Sequence, residues 1–177
     1  GAGLADDAEH LARLQLEAFP RDYPVVVPSG SCAGMMRHHY PYLFAGRPEW
    51  EQTRRFAERV FEFTEFMRHV LGVTLEDKGP PLRVTWHSSC HAKREMAVTE
   101  DSKALLRQLD RVELVELERE DECCGFGGTF AVKQPAISAA MVQDKTEDIR
   151  QTGADRVIAG DCGCLMNLGC TLSHRGG

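Results

Sequence analysis

A chain of 177 residues, 42% hydrophobic and 27% charged, is long enough for one ordinary hydrophobic core or two small ones. Its net charge of −6, with no lysine- or arginine-rich run, argues against non-specific nucleic-acid binding. Apolar runs such as Val25-Val26-Val27 are far too short to cross a bilayer, and no charged segment leads into an apolar one, so the expectation is a cytoplasmic location without membrane insertion.

Residues 4 to 19 carry Leu4, Ala8, Leu11, Leu14 and Ala18 at helical spacing, and Pro20 stops the pattern. Val25-Val26-Val27 reads as a short buried strand running into Pro28-Ser29-Gly30-Ser31-Cys32, a turn that opens a second helix. Residues 48 to 71 show the longest helical pattern, with Trp50, Phe56, Val60, Phe63, Met67, Val70 and Leu71 on one broad face, Pro48 near its start and Gly72 after its end. The aromatic stripe Phe56, Phe61, Phe63 and Phe66 reads as helix packing. Lys78-Gly79-Pro80-Pro81 is the candidate linker. Beyond it, strand-like segments at 82–86, 112–117 and 156–160 alternate with helical patterns near 100–109 and 136–151. That alternation predicts an α/β fold with a parallel, helix-covered sheet.

Sliding the chain on itself by 132 residues lays Val25-Val26-Val27-Pro28-Ser29-Gly30-Ser31-Cys32 over Val157-Ile158-Ala159-Gly160-Asp161-Cys162-Gly163-Cys164. Each copy is a strand, a tight turn, a cysteine and a helix, with the thiol at the strand's C-terminal end, where open α/β sheets place their ligands. Two pseudo-repeats follow, the first incomplete. The expected division is 1–47 for the tail of a first repeat, 48–79 for a connecting helix and linker, and 80–177 for a second repeat.

Seven cysteines are an odd number, and a chain with this much core has no need of disulfide staples. Cys90 lies at one predicted junction, Cys123-Cys124 at another and Cys164 at a third, so that thiols from separate strands converge on one sheet edge. Vicinal cysteines in an extended strand point to opposite faces, and both serve one site only if the backbone turns sharply. Gly125, Gly127 and Gly128 permit that turn and let backbone N–H groups approach an anionic centre. Three readings stand at this point: a bulky sulfur-rich cofactor, a mononuclear zinc ion, or a vicinal disulfide among otherwise inert cysteines. Zinc sites commonly use paired C-x-x-C elements, of which this chain has none, because Asp161 stands where the first cysteine of one would be.

His87-Ser88-Ser89-Cys90-His91, Cys123-Cys124-Gly125-Phe126-Gly127-Gly128-Thr129-Phe130 and Asp161-Cys162-Gly163-Cys164-Leu165-Met166-Asn167 resemble the cysteine-rich (CCG) domain family. That family includes the cysteine-rich component of heterodisulfide reductase and the iron–sulfur subunits of glycolate- and lactate-oxidising complexes. Pro28-Ser29-Gly30-Ser31-Cys32-Ala33-Gly34-Met35 and Ala140-Met141-Val142-Gln143-Asp144-Lys145 extend the likeness to the lactate type over nearly the whole chain. The resemblance implies tandem repeats that hold iron–sulfur clusters. It assigns Cys90, Cys123, Cys124 and Cys164 to a 4Fe-4S cluster and Cys32 to the first repeat's site, whose other cysteines are absent here. Asp161 disfavours a five-thiolate cluster, and Cys162, one residue off the missing position, is expected to point elsewhere.

The implied role is electron transfer in an L-lactate-oxidising complex, with its other subunits as partners. Two alternatives are a thiol–disulfide redox subunit of the heterodisulfide reductase kind and a zinc-stabilised interaction module without redox activity. His87 and His91 flank Cys90 and are placed to donate hydrogen bonds to cluster sulfur or simply to cap and face solvent. His38 and His39 read as surface groups. Phe126 and Phe130 either shield the site from water or are plain core. No Gly-x-Gly-x-x-Gly opens a helix, so nucleotide or flavin binding is not expected.

Overall fold

Among the described residues each strand is short and parallel to its neighbour, as the alternation of strands and helices requires. The computed structural model describes residues 3–174. In chain order these form α1 (Ala5–Ala18), β1 (Val25–Val27), α2 (30–43, with a π-helical turn at Met35–His39), α3 (Trp50–Glu58), β2 (Val60–Glu62) and α4 (63–70). There follow β3 (Leu82–His87), α5 (90–96), α6 (Thr99–Leu106), β4 (Val112–Val115), α7 (Thr129–Lys133), α8 (Pro135–Gln151), β5 (Arg156–Ala159) and α9 (Cys162–His174).

Two parallel sheets result. β1 pairs with β2, Val25 opposite Val60, while β3 lies between β4 and β5, with Val84 opposite Leu114 on one side and Arg156 on the other. Parallel neighbours need crossover connections, and here helices supply all of them. The central strand β3 is buried from Val84 to His87, with the polar Thr85 and His87 enclosed along with Val84 and Trp86. The predicted strands at 25–27, 82–86, 112–117 and 156–160 and the helices at 100–109 and 136–151 therefore form, with ends shifted by a few residues.

The helical pattern over 48–71 is not one helix. It breaks at Arg59, runs as strand β2 and resumes at Phe63. β1 offers an open backbone edge, and Val25 N–H donates to Arg59 O at 2.8 Å, so Val60-Phe61 satisfies that edge rather than continuing a helix. Tertiary pairing overrides local period here. Glu62 then restarts the helix through a capping box, its carboxylate accepting from Thr64 and Glu65 N–H while Glu65 reaches back to Glu62 N–H.

The inward face of α1 also differs from expectation. Ala12, Leu16 and Glu9 are buried, while Leu4, Leu11 and Leu14 stand exposed. Glu9 is paired with Arg47 at 2.7 Å, which offsets the cost of burying its carboxylate beside Ala12 and Leu16. Phe56 belongs to the core and Phe61 packs edge-on against Phe66 at 5.7 Å, but Phe63 is 45% exposed.

Two cores hold the chain. The first joins α1, β1, α2, α3 and β2 through Leu16, Val25, Tyr40, Phe44, Phe56 and Val60, and it takes in Ala92, Met96 and Val98 from α5 and the turn after it. The second gathers Leu117, Cys124, Val142, Ile149 and Leu168 under the cysteine loops. α2 and α5 touch so closely that a Cβ on Gly30 would lie 2.3 Å from the Ala92 Cβ. This contact brings the turn after β1 alongside Cys90. No helix among the described residues is long and apolar enough to cross a membrane.

Candidate metal centre

Three strand ends deliver the thiols. Cys90 opens α5 after β3, Cys123 and Cys124 follow the loop after β4, and Cys164 sits in the first turn of α9 after β5. They meet at a cavity of about 240 Å³ lined by Cys90, Cys123, Cys124 and Cys164 with Phe126 and Asp161 beside them. Cys124 is 1% exposed and the other three are half-buried.

The loop carrying Cys123 is held by buried charge. Lys145 and Asp148 of α8, both fully buried, pair at 3.2 Å. Lys145 Nζ donates to Arg119 O, and the Asp148 carboxylate accepts from Arg119 N–H at 3.2 Å, so the loop backbone at Arg119 is gripped from both sides. Nearby, buried Lys103 donates to Glu120 at 2.9 Å, and Ser88, at the end of β3, donates to the same carboxylate at 2.7 Å. The β4 loop is thereby tied to the end of β3 next to Cys90.

The turn itself needs its glycines. Gly125 has φ +77°, and a Cβ there would meet Ser138 O at 2.6 Å, while Ser138 Oγ donates to Gly125 O at 2.8 Å. The resulting bend lets both vicinal sulfurs serve one site, and Gly125 N–H donates to Cys123 Sγ at 3.4 Å. Gly163 has a different reason: a Cβ on it would fall 2.2 Å from the Phe126 ring. Phe126 is thus wedged between the two cysteine loops, and Asn167 of α9 donates to Cys124 O at 2.7 Å.

The sulfurs form a hydrogen-bonded row. Donation from the Cys124 and Cys90 thiols, aided by Gly125 N–H, holds Cys123 far below the usual thiol range in spite of burial. Donation from the Cys124 thiol, working against burial, brings Cys164 down to about 6. Conversely, the Cys123 sulfur and then burial push Cys90 up, and the Cys123 and Cys164 sulfurs push Cys124 up. The shifts thus alternate along the four sulfurs, down at Cys123 and Cys164 and up at Cys90 and Cys124, and a soft cation would draw the remaining protons off.

Asp161 is a clasp. It is 5% exposed, and its Oδ1 accepts from Ser29 Oγ and Ser31 Oγ, each at 2.6 Å, and from Ser31 N–H at 3.3 Å. Ser29 and Asp161 are the residues that coincide under the 132-residue shift. Burial raises the Asp161 pKa, but the hydroxyls of Ser29, Ser31 and Ser89 outweigh it and leave the carboxyl below its ordinary value. A depressed folded value means stability that is present above the ordinary aspartate value of 3.8 and lost as pH falls through the folded one. Asp161→Asn is expected to cost the metal-free protein about 1–3 kcal/mol at neutral pH. The difference should vanish in strong acid, as read by urea unfolding at several pH values.

Cys32 lies apart. It is exposed on α2, near Tyr40, and does not line the cavity, although Ser31 beside it does. Cys162 is exposed and turned to another cavity, lined by Trp86, Phe63 and Ile158 among others, as its offset position predicts. His91 is exposed with Nδ1 3.4 Å from Cys90 Sγ, whereas His87 is fully buried behind the thiols. His38 and His39 are both exposed, the latter pairing with Glu95 at 3.1 Å. The Lys145–Asp148 grip and the serine clasp on Asp161 escape sequence reasoning, because each acts on a loop distant in the chain, Arg119 in one case and Ser29–Ser31 in the other.

Residues 84–169 match the family model described as a cysteine-rich domain, CCG. The chain is 40% identical to lactate utilization protein A of Oceanobacillus iheyensis, over 99% of this chain and 72% of that protein. It is 44% identical to the Shouchella clausii protein of the same name, over 99% and 73%, and 41% identical to that of Bacillus subtilis, over 98% and 73%.

Proposed function

Because the chain belongs to the cysteine-rich CCG domain family, alongside the lactate utilization A proteins, we propose that it serves lactate utilisation as an iron–sulfur electron-transfer subunit. The observation carrying this reading is the convergence of Cys90, Cys123, Cys124 and Cys164 from three separate strand ends on one cavity. The donor set fits the group. Four soft sulfur donors, two of them favoured as thiolates, suit iron and inorganic sulfide, and backbone N–H beside Cys123 suits an anionic core.

When bound, the cluster would supply reversible one-electron storage. The chain's own residues do the rest. Cys90, Cys123, Cys124 and Cys164 hold the group, and Gly125 N–H, donating to the Cys123 sulfur, favours the reduced state by stabilising negative charge. Phe126 keeps water from the inner side, which raises the cost of adding charge there. Cys90 borders both this cavity and a second one of about 350 Å³ lined by Ser88, Lys93, Arg94, Glu120 and Asp121. Cys90 therefore marks the side from which electrons enter or leave, toward other subunits of the same lactate utilisation system.

Protein reconstituted without oxygen is expected to bind about four iron and four acid-labile sulfide per chain and to show a reducible cluster by electron paramagnetic resonance. Zinc without sulfide under the same conditions overturns the reading.

A further inference from the structure

Of the residues lining the cavity that the four cysteines share, Asp161 is the one carboxylate. The two acids of the neighbouring cavity beside Cys90 are each offset by a cation: Glu120 pairs with buried Lys103 at 2.9 Å, and Asp121 pairs with Lys93. Asp161 has no such cation among the described residues. Its donors are the hydroxyls of Ser29, Ser31 and Ser89 and the N–H of Ser31, all neutral. An amide oxygen could accept from the same hydroxyls, so what the carboxylate adds, besides stronger hydrogen bonds, is a unit charge. That charge is enclosed, the residue being 5% exposed, and enclosing it without a cation costs stability.

The charge is also held still. Asp161 immediately precedes α9, where Leu165 N–H donates to its carbonyl at 3.1 Å, so it opens the same helical turn as Cys164. Ser29 and Ser31 belong to the turn after β1, which the Gly30–Ala92 contact presses against α5 beside Cys90. A fixed charge in a medium less polarisable than water acts on its surroundings without reorganising first. In a cavity of about 240 Å³, nothing on the wall stands far from an occupant. Asp161 already opposes the lowering of the Cys164 thiol, the direction expected of a negative charge facing that sulfur.

We propose that Asp161 holds the reduction potential of the iron–sulfur centre low, so that the centre gives up its electron readily and relays rather than stores it. The inference rests on the electron-transfer reading above. Reduction adds one electron, hence one negative charge, and makes or breaks no bond in the chain, and the Asp161 carboxylate opposes that added charge. Two unit charges about 10 Å apart at an effective dielectric of about 20 change an equilibrium roughly tenfold. Asp161 acts through space and is not a ligand. Gly125 N–H, donating to Cys123 Sγ, pulls in the opposite direction, and the potential reflects the balance of the two.

The test is a redox titration, followed by electron paramagnetic resonance, of the full chain reconstituted without oxygen. Asp161→Asn is expected to become reduced at a higher potential, the ratio of reduced to oxidised centre at a fixed poise rising roughly tenfold. The rise should persist in about 1 M salt, which screens exposed charges beyond roughly 3 Å but enclosed ones much less. Ser29→Ala with Ser31→Ala, which breaks the clasp and keeps the charge, should not reproduce it. An unmoved or lowered potential in Asp161→Asn, a rise that salt abolishes, or an equal rise in the double serine variant overturns the proposal. So does loss of iron and sulfide from a folded Asp161→Asn chain, because Asp161 would then hold the group rather than tune it. Should Asp161→Asn fail to fold, Asp161→Ser supplies the uncharged side chain, and the same rise is required of it. Iron and sulfide in the unaltered chain are measured first: their absence defeats the electron-transfer reading, whereas a loaded centre with an unmoved potential defeats this inference alone.

Discussion

Cys124→Ser is expected to leave the reconstituted protein almost without iron or sulfide, while Cys32→Ser and Cys162→Ser retain both. Cys124 is the deepest of the four thiols and stands between Cys123 and Cys164 in their hydrogen-bonded row. Deleting an outer-shell partner of a metal ligand typically costs 10–100-fold in affinity, and removing a ligand at the centre of the set should exceed roughly that range. A serine hydroxyl is a poor donor to iron at neutral pH because it stays protonated. Cys32 and Cys162, by contrast, are exposed and do not line the cavity. The measurement is iron and sulfide per chain beside a circular dichroism spectrum that confirms folding. Cluster retention in Cys124→Ser, or its loss in Cys32→Ser, would sink the ligand assignment.

Lys145→Met should be the most destabilising single change outside the thiols, with an expected loss of about 3–5 kcal/mol. Methionine matches the stem of lysine, so the effect isolates the charge. The substitution strands the Asp148 carboxylate, 1% exposed, without its cation and takes from Arg119 O one of its two donors, leaving Glu122 N–H. Replacing a buried ion pair by apolar groups is often neutral, but here each partner also grips the backbone of Arg119. Lys145→Met with Asp148→Leu is therefore expected to recover only part of the loss, because the N–H of Arg119 loses its acceptor at about 1–3 kcal/mol, while its C=O keeps Glu122 N–H. Urea unfolding of the metal-free single and double variants measures both. The loop released by the change is the one that delivers Cys123, so iron uptake should fall with stability.

How far the sequence speaks for the structure differs from element to element. Strands β3, β4 and β5 are visible because each is a short segment with valine or isoleucine lying between helical patterns, so the local signal agrees with the tertiary environment. The gathering of Cys90, Cys123, Cys124 and Cys164 is visible for a related reason: thiols at the ends of parallel strands have one edge at which to meet. Residues 60–62 are misread as helix because their period fits one, while the decisive partner, the edge of β1, lies far back in the chain at Val25–Val27. The inward face of α1 is misread because the buried stripe runs through Glu9, Ala12 and Leu16, and its first member is a carboxylate that a hydrophobic pattern passes over. At Asp161 the sequence registers only a missing cysteine. Its role as acceptor for Ser29 and Ser31 depends on a contact across 132 positions that no local pattern encodes.

The wedge formed by the Phe126 ring over Gly163 bears on any attempt to transplant this motif. The loop bearing the vicinal pair and the loop opening α9 interlock like a key and its slot, one contributing a bulky ring and the other the hollow left by hydrogen. A designer who grafts one loop onto a foreign scaffold without its mate carries over the sulfurs but discards the gauge that sets the gap between them.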